Sequence, residues 1–159
     1  MTEKRKGTLR RWLKSTSNRT FIVWPIVLFA IEAAIQRGMP RLDLWALPLL
    51  PWGYLQYHWV GAYRTKRGGG GPGLSNPPER IVEAGIYRWM RNPMYLGHII
   101  FFAGMALVLE SWIAVAVLAF HLVWFDLRAR GDEEHLAELF GDPYREYCKR
   151  VKRWIPFVY

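Results

Sequence analysis

The sequence predicts an all-α, polytopic membrane protein with four transmembrane helices and a short cytoplasmic C-terminal helical cap. Apolar residues make up 52% of the 159 positions, yet the mean hydropathy is close to zero, so the apolar residues must be concentrated in particular segments. At about 1.5 Å per residue each segment spans roughly 22 to 30 Å, near the lower limit for crossing a bilayer. A soluble four-helix bundle is the alternative, but it requires a polar helix face that these segments lack. The segments are residues 21–35, 44–63, 94–109 and 112–127.

The charge distribution indicates a membrane topology rather than a nucleic-acid site, although the net charge is +9. Of the 22 Lys and Arg residues, seven precede the first apolar segment, two follow it, six lie between the second and third, and seven follow the fourth. By the positive-inside rule, both termini and the loop 64–92 are expected in the cytoplasm. Basic residues beside a membrane attract anionic headgroups by about 1 kcal/mol each, so we expect a membrane partner and no nucleic acid.

Proline and glycine residues mark where the first helices depart from regular geometry. Pro25 predicts a kink in the first helix, and Pro48, Pro51 and Gly53 indicate that the second is kinked or begins late. The glycine-rich run at residues 68–73 predicts a flexible linker. It lacks the Lys-Ser/Thr ending and the strand-to-helix setting of a phosphate-binding loop.

Two helix starts carry capping residues. Ser111 suits the N-cap of the fourth helix and joins it to the third in an antiparallel hairpin. Asn92 suits the N-cap of the third helix, and Pro93 suits its first position. Arg88 and Arg91 directly precede this start, and a helix N-terminus attracts anions. The sequence therefore predicts a binding site for a small charged molecule here.

The chain beyond Leu127 predicts an amphipathic cap, since apolar residues recur every three or four positions. Gly141 followed by Asp142-Pro143 predicts a break and a new helix start. Within this cap, Glu133 and Glu134 read either as a solvated face or as part of a site. The recurring residues are Leu136, Leu139, Phe140, Tyr144 and Tyr147.

No metal site is expected. Cys148 is the only cysteine, which excludes an intramolecular disulfide and a cysteine-rich zinc site. The four histidines are too scattered to form a metal-ligand pattern.

A series of short motifs from Asn76 to the end resembles the isoprenylcysteine carboxyl methyltransferase family and its phospholipid methyltransferase relatives. The motifs are Asn76-Pro-Pro78, Ile81-Val82, Gly85-Ile-Tyr87-Arg88, Arg91-Asn-Pro93-Met-Tyr95-Leu-Gly97, Glu133-Glu134, Phe140-Gly141, Tyr144, Tyr147 and Ile155-Pro156. Family members often carry His where Asn92 stands, a departure also common among bacterial relatives. The resemblance implies an integral-membrane enzyme that uses S-adenosyl-L-methionine, and we expect it in a bacterial plasma membrane.

The whole chain, residues 1–159, is then expected to form a single membrane methyltransferase domain. Residues 1–20 are its basic cytoplasmic segment, residues 21–127 hold the four membrane helices, and residues 128–159 form the cap.

The resemblance implies a cofactor pocket built from the Arg-x-Pro-x-Tyr-x-Gly segment and the Glu pair. Arg91 and the backbone N–H groups of the helix start suit the cofactor carboxylate, and Glu133 or Glu134 suits its ammonium or ribose hydroxyls. The aromatic rings suit the adenine or sulfonium. The expected cofactor-binding residues are Tyr87, Arg91, Asn92, Pro93, Tyr95, Gly97, His98, Glu133 and Glu134.

The acceptor is expected to be a lipid or lipidated small molecule. Arg128 matches the arginine that the carboxyl methyltransferases place ahead of the Glu pair, so we expect it to orient the substrate, with Arg130 as second choice. A carboxylate acceptor fits an isoprenylcysteine O-methyltransferase, whereas an amine fits a phosphatidylethanolamine N-methyltransferase. An NADPH-dependent sterol-type reductase and a non-enzymatic membrane protein stay open as alternatives.

Overall fold

The computed structural model describes residues 12, 14–71 and 76–154, and this part of the chain is helical, with a single isolated β-bridge. The all-α prediction is confirmed for these residues. Short 3-10 turns cover Leu44–Ala46 and Gly85–Arg88. Most of the predicted basic N-terminal segment, residues 72–75 and the Ile155-Pro156 motif lie outside the described residues. The longer helices are α1 (Thr16–Ile35), α2 (Leu49–Gly68), α3 (Pro93–Val108), α4 (Trp112–Phe140) and α5 (Asp142–Arg150).

Four long helices stand where four apolar segments were predicted, but two of them are long and apolar enough to cross a membrane. These are α1, with 20 residues, and α4, with 29. Helix α3 has only 16 residues. Helix α2 has 20 residues but ends in a basic turn containing Lys66 and Arg67. The second helix begins at Leu49, so the prediction of a late start is confirmed.

Helix α4 continues beyond the predicted end of the fourth membrane segment at Leu127. It runs without a break to Phe140, so the first half of the predicted cap is a continuation of this helix. The physical reason is that residues 128–140 contain mostly good helix formers and no proline. The predicted break at Gly141 is confirmed, because α5 starts at Asp142 with a proline in its first turn.

The chain divides into two compact units. The first comprises the described residues up to Tyr54 together with His98–Ala119, and the second comprises Leu55–Gly97 together with the described residues from Phe120 onward. Helices α2, α3 and α4 each contribute residues to both units.

The first unit has an apolar core formed by α1, the start of α2, the later turns of α3 and the start of α4. Its buried members are Leu28, Phe101, Met105, Ala106, Leu109 and Ala114. Helix α1 contains a π-helical turn at Arg19–Val23, where the Trp24 N–H donates to the Arg19 carbonyl. This irregularity directly precedes Pro25, which has no N–H to donate.

A buried polar contact joins α1 to the turn before α4 in the first unit. Ser111 Oγ donates to Glu32, which is only 7% exposed, and accepts from the Ala114 N–H at 3.1 Å. Ser111 therefore caps α4, as predicted.

The glycine run of the second unit is packed rather than open over the residues described. A Cβ atom on Gly70, which has φ of +68°, would lie 2.2 Å from the Pro77 carbonyl oxygen. The Gly71 N–H donates to the Asn76 carbonyl at 2.9 Å, and Arg64 Nη2 donates to the Gly71 carbonyl at 2.5 Å. Residues 68–71 therefore pack against neighbouring parts of the chain, and the flexibility of the run stays a prediction. Its signal was composition alone, which does not reveal these contacts.

The amphipathic stripe predicted after Leu127 forms a second apolar cluster in the second unit. Tyr144, Tyr147 and Val151 are buried there, with Leu136 and Phe140 packed against them. One predicted member, Leu139, is instead 48% exposed.

We expect Gly104→Val to destabilise the first unit. A Cβ atom on Gly104 would lie 2.9 Å from both Leu49 Cβ and Leu50 Cδ2. Overpacking of this kind costs about 2 kcal/mol. Thermal unfolding in detergent should show a lower midpoint.

The matched control is Gly131→Ala. Gly131 also lies inside a helix, but a Cβ atom there meets nothing within 4 Å. This change should stabilise the protein by about 0.5 to 1 kcal/mol. An unchanged midpoint for Gly104→Val would contradict the close packing of α2 and α3 at this position.

Candidate functional site

Glu133 is the buried carboxylate at the centre of the candidate site. It lies on α4, is 8% exposed, and accepts two parallel hydrogen bonds from Arg91. Arg91 Nε donates to Oε1 at 3.1 Å and Nη2 donates to Oε2 at 2.9 Å. The side-chain amide of Asn92 donates to Oε1 at 2.8 Å. Arg91 and Asn92 precede Glu133 by 42 and 41 positions in the sequence, yet both bond to its carboxylate.

A second guanidinium completes this arrangement. Arg153 Nη2 donates to Glu133 Oε2 at 2.9 Å, and its Nε donates to Oε1 at 3.1 Å. We call Arg91, Asn92, Glu133 and Arg153 the Glu133 cluster. It contains one carboxylate and two guanidinium groups, so its formal charge is positive.

Two opposing effects act on the pKa of Glu133, which lies beyond the apolar part of α4. Burial raises this pKa, whereas hydrogen bonds from Arg153 and Arg91 lower it. The net pKa lies below the ordinary value for a glutamate. Glu133 is therefore ionised at neutral pH and holds both cations.

Arg91 also holds the end of α5. Its Nη1 donates to the Cys148 carbonyl at 2.8 Å and to the Val151 carbonyl at 2.6 Å. The Arg91 N–H donates to the Lys152 carbonyl at 2.9 Å. A helix C-terminus has unpaired carbonyls and a partial negative charge, so a guanidinium is favourable there. Arg91 thus joins the start of α3 to α4 and to the end of α5.

A second polar group lies on the start of α3 and on α4. The Tyr95 hydroxyl donates to Asp132 Oδ2 at 2.5 Å and accepts from Arg128 Nε at 3.1 Å. The Arg128 guanidinium lies over the Trp124 ring, 5.7 Å from its centroid. We call Tyr95, Asp132 and Arg128 the Tyr95 triad.

Aromatic rings border both groups. The Tyr95 ring centroid lies 5.2 Å from that of Phe125 and 6.3 Å from that of Trp154. Trp154 Nε1 donates to Asp126 at 2.9 Å, and Asp126 also pairs with Arg130 at 2.7 Å. The site therefore combines carboxylates, guanidinium groups and aromatic surfaces.

The predicted residues fall into distinct places. Arg91, Asn92 and Glu133 meet in the Glu133 cluster, while Tyr95 and Arg128 meet in the Tyr95 triad. Arg130 pairs with a different carboxylate.

The remaining candidates have other surroundings. Pro93 begins α3, and Gly97 is buried on it. Tyr87 is buried, and its carbonyl accepts from the Tyr147 hydroxyl at 2.7 Å. Glu134 is exposed. His98 belongs to the first unit, where its ring stacks on Phe21 at 4.9 Å.

Sequence reasoning missed four residues of the site, which are Asp126, Asp132, Arg153 and Trp154. Asp132 directly precedes the Glu pair, so its position offered a signal. Arg153 and Trp154 lie in a terminal basic and aromatic stretch whose pattern fits a membrane surface equally well. Only the three-dimensional contacts assign them.

We expect Glu133→Gln to destabilise the second unit by about 3 kcal/mol, because it leaves two guanidinium groups without their buried carboxylate. Thermal and chemical unfolding in detergent should detect the loss. The lowered pKa of Glu133 means that this stability is fully present above the unfolded carboxyl pKa of about 4.3 and is lost as the pH falls through the folded value. The variant should lack this acid-dependent component.

The control is Glu134→Gln, the neighbouring change at an exposed carboxylate, which should alter stability by less than about 0.5 kcal/mol. Equal stability of the two variants would contradict a central role for Glu133.

Comparison with known proteins finds relatives that match about half of the chain. Residues 72–143 match the phospholipid methyltransferase family model. The chain is 35% identical over 86 residues to the protein-S-isoprenylcysteine O-methyltransferase of Schizosaccharomyces pombe, which covers 52% of this chain and 36% of that protein.

Similar values hold for plant and human proteins. The match to protein-S-isoprenylcysteine O-methyltransferase B of Arabidopsis thaliana is 36% over 81 residues, or 50% of this chain and 41% of that protein. The match to the Homo sapiens protein-S-isoprenylcysteine O-methyltransferase is 35% over 80 residues, or 49% and 28%. The aligned part thus spans between 28% and 41% of the length of these relatives. The resemblance to the isoprenylcysteine and phospholipid methyltransferases is thereby confirmed for the second half of the chain.

Proposed function

We propose that this protein is an integral-membrane methyltransferase that uses S-adenosyl-L-methionine and methylates a carboxylate on a hydrophobic, isoprenylcysteine-like acceptor. One observation carries the proposal. Within the matched region, Arg91, Asn92 and Glu133 form one polar group and Tyr95, Arg128 and Asp132 form another, and all six residues lie in one unit.

The chemistry of these residues fits the cofactor. S-adenosylmethionine carries a carboxylate, an ammonium, a sulfonium, hydroxyls and an adenine. The positive end of α3 and the net positive charge of the Glu133 cluster would attract the carboxylate, and Asp132 and Glu134 are suited to the ammonium or hydroxyls. Tyr95 and Trp154 offer aromatic surface for the sulfonium or adenine.

The contacts divide these residues into two roles. Arg91, Asn92 and Glu133 bond to one another, so we assign them to the frame of the pocket. Exposed Glu134 is the carboxylate we assign to direct contact with the cofactor. Buried Tyr87 and Gly97 would shape the wall, and Pro93 starts the helix whose N-terminal N–H groups would hold the cofactor carboxylate.

The residues of the site have simple tasks in methyl transfer. When bound, the cofactor supplies an electrophilic methyl group on a sulfonium. A carboxylate acceptor is already a nucleophile, so the protein needs no base for it. Arg128 binds and orients that carboxylate, and the rings of Tyr95 and Phe125 exclude water.

The membrane setting of this proposal rests on the apolar helices. Large apolar side chains are exposed on the two helices that are long and apolar enough to span. They include Ile26 at 64% and Ile35 at 60% exposed on α1, and Phe120 and Val123, both at 63%, on α4. Exposed apolar surface on this scale suits lipid. We propose four spans with both termini in the cytoplasm, following the distribution of basic residues, and a bacterial plasma membrane. The acceptor's apolar tail then enters from the lipid between helices.

A phospholipid amine is the second candidate acceptor, because the matching family model is that of the phospholipid methyltransferases. An amine must lose a proton before it accepts a methyl group, and Asp132 or Glu134 is suited to take it.

The test is methyl transfer from labelled S-adenosylmethionine by the purified protein in detergent. We expect label in S-farnesylcysteine as a base-labile methyl ester, and none in phosphatidylethanolamine vesicles. Label in the phospholipid alone would establish the second candidate. Titration calorimetry with S-adenosylhomocysteine and NADPH provides the control. Binding of NADPH without binding of the adenosyl ligand would overturn the proposal in favour of a reductase, and binding of neither would favour a non-enzymatic protein.

We expect Glu134→Gln to weaken S-adenosylhomocysteine binding about tenfold, because it removes a charge-assisted hydrogen bond without disturbing the Glu133 cluster. Calorimetry measures the affinity. Glu138→Gln is the matched control, since Glu138 is an exposed glutamate one helical turn further along α4. Wild-type affinity in Glu134→Gln would mean that this residue belongs to a solvated face.

A further inference from the structure

The arginines at the candidate site differ in what their guanidinium groups contact. Arg91 and Arg153 both bond to Glu133, and Arg130 pairs with Asp126. Among the described residues, Arg128 forms no ion pair and bonds instead to the neutral Tyr95 hydroxyl through Nε. It is also exposed, so its terminal nitrogens can meet an incoming molecule.

The Tyr95 hydroxyl is held in a defined orientation. The hydroxyl donates its proton to Asp132 Oδ2, and the two oxygens lie 2.5 Å apart. The lone pairs of the hydroxyl oxygen are therefore available to Arg128 Nε, which lies 3.1 Å from that oxygen. A tyrosine donates one hydrogen bond and accepts others, so both contacts are satisfied together. Replacing it with phenylalanine would break the link between Asp132 and Arg128 without changing the ring.

Two contacts fix the plane of the Arg128 guanidinium. One is the Nε hydrogen bond, and the other is the Trp124 ring beneath it. An exposed arginine otherwise samples many rotamers, and ordering its side chain on binding costs conformational entropy. With Nε occupied, the two terminal nitrogens form the edge that matches a carboxylate in a bidentate pair.

We propose that Tyr95, itself oriented by Asp132, is a positioning residue that holds Arg128 ready for the carboxylate of the methyl acceptor. The proposal rests on the proposed function, because Arg128 is assigned there to the acceptor. It gives the Tyr95 hydroxyl a task in acceptor recognition that is distinct from the role of its ring beside the cofactor. The Tyr95 triad would then select a carboxylate acceptor over an amine, because an oriented guanidinium does not attract an amine.

The test compares two probes, S-farnesylcysteine and its methyl ester, which differ in the free carboxylate. We expect the wild-type protein in detergent to bind the free acid about tenfold more tightly than the ester, and Tyr95→Phe to lose this preference. In turnover, Tyr95→Phe should raise the KM for the free acid about tenfold. The ratio of the two affinities is the decisive readout, because both probes carry the same farnesyl tail and a general loss of binding would lower both affinities alike.

Two further variants make the result decisive. Tyr54→Phe also removes one hydroxyl while keeping a ring, here the one that contacts Phe21 in the first unit, and it should behave as wild type. Arg128→Lys, at an exposed position, should lose the preference for the acid even if Tyr95→Phe folds poorly. Adding Tyr95→Phe to Arg128→Lys should then change acceptor binding no further, because the two residues act through one contact.

The outcomes separate this proposal from the proposed function. Retention of the acid preference in Tyr95→Phe or in Arg128→Lys, or its absence from the wild type, would overturn the positioning role. A wild-type protein that prefers the acid but binds no S-adenosylhomocysteine and transfers no methyl group would overturn the proposed function and leave the positioning role standing.

Discussion

The bonds between Glu133 and its two arginines are the interaction on which the rest of the site depends. Burying a carboxylate costs desolvation free energy unless its charge is paired and its oxygens are hydrogen-bonded. Both oxygens of Glu133 accept hydrogen bonds from several donors. Those donors come from the residues before α3 and from the segment after α5. One carboxylate on α4 therefore fixes two segments that are far apart in sequence.

This arrangement also explains why the arginines of the site are not interchangeable. Arg91 donates hydrogen bonds to Glu133 and to backbone carbonyls, and Arg153 donates to Glu133 and Asp126. Both guanidinium groups are therefore bound to carboxylates within the protein. Arg128 forms no ion pair with a described residue, and its Nε donates instead to the neutral Tyr95 hydroxyl, which in turn donates to Asp132. The structure thus separates cations that build the site from a cation suited to bind an anionic group.

Helix boundaries that depend on neighbouring residues were predictable from the sequence. Contacts between segments far apart in the sequence were not. Ser111 and Gly141 mark helix boundaries through their own hydroxyl or backbone, so their neighbours in sequence were sufficient evidence. The end of apolar character at Leu127 was wrongly taken as a helix end, because hydropathy reports the environment and not the backbone. Asp132 and Arg153 escaped notice because their partners lie on other segments. The number of membrane spans stays a prediction for the same reason, since charge and length describe one segment at a time.

The unbroken course of α4 also sets the distance along the helix between the end of its apolar segment and the acidic residues that follow. The apolar residues and the acidic residues belong to one continuous helix, and Asp132 lies five residues beyond Leu127. At about 1.5 Å per residue, that separation is about 8 Å along the axis, roughly the depth of a lipid headgroup layer. Under the proposed function, an acceptor anchored in lipid by its tail would be selected by how far its reactive group stands above the hydrocarbon, and a spacer a few atoms too long or too short would miss the site.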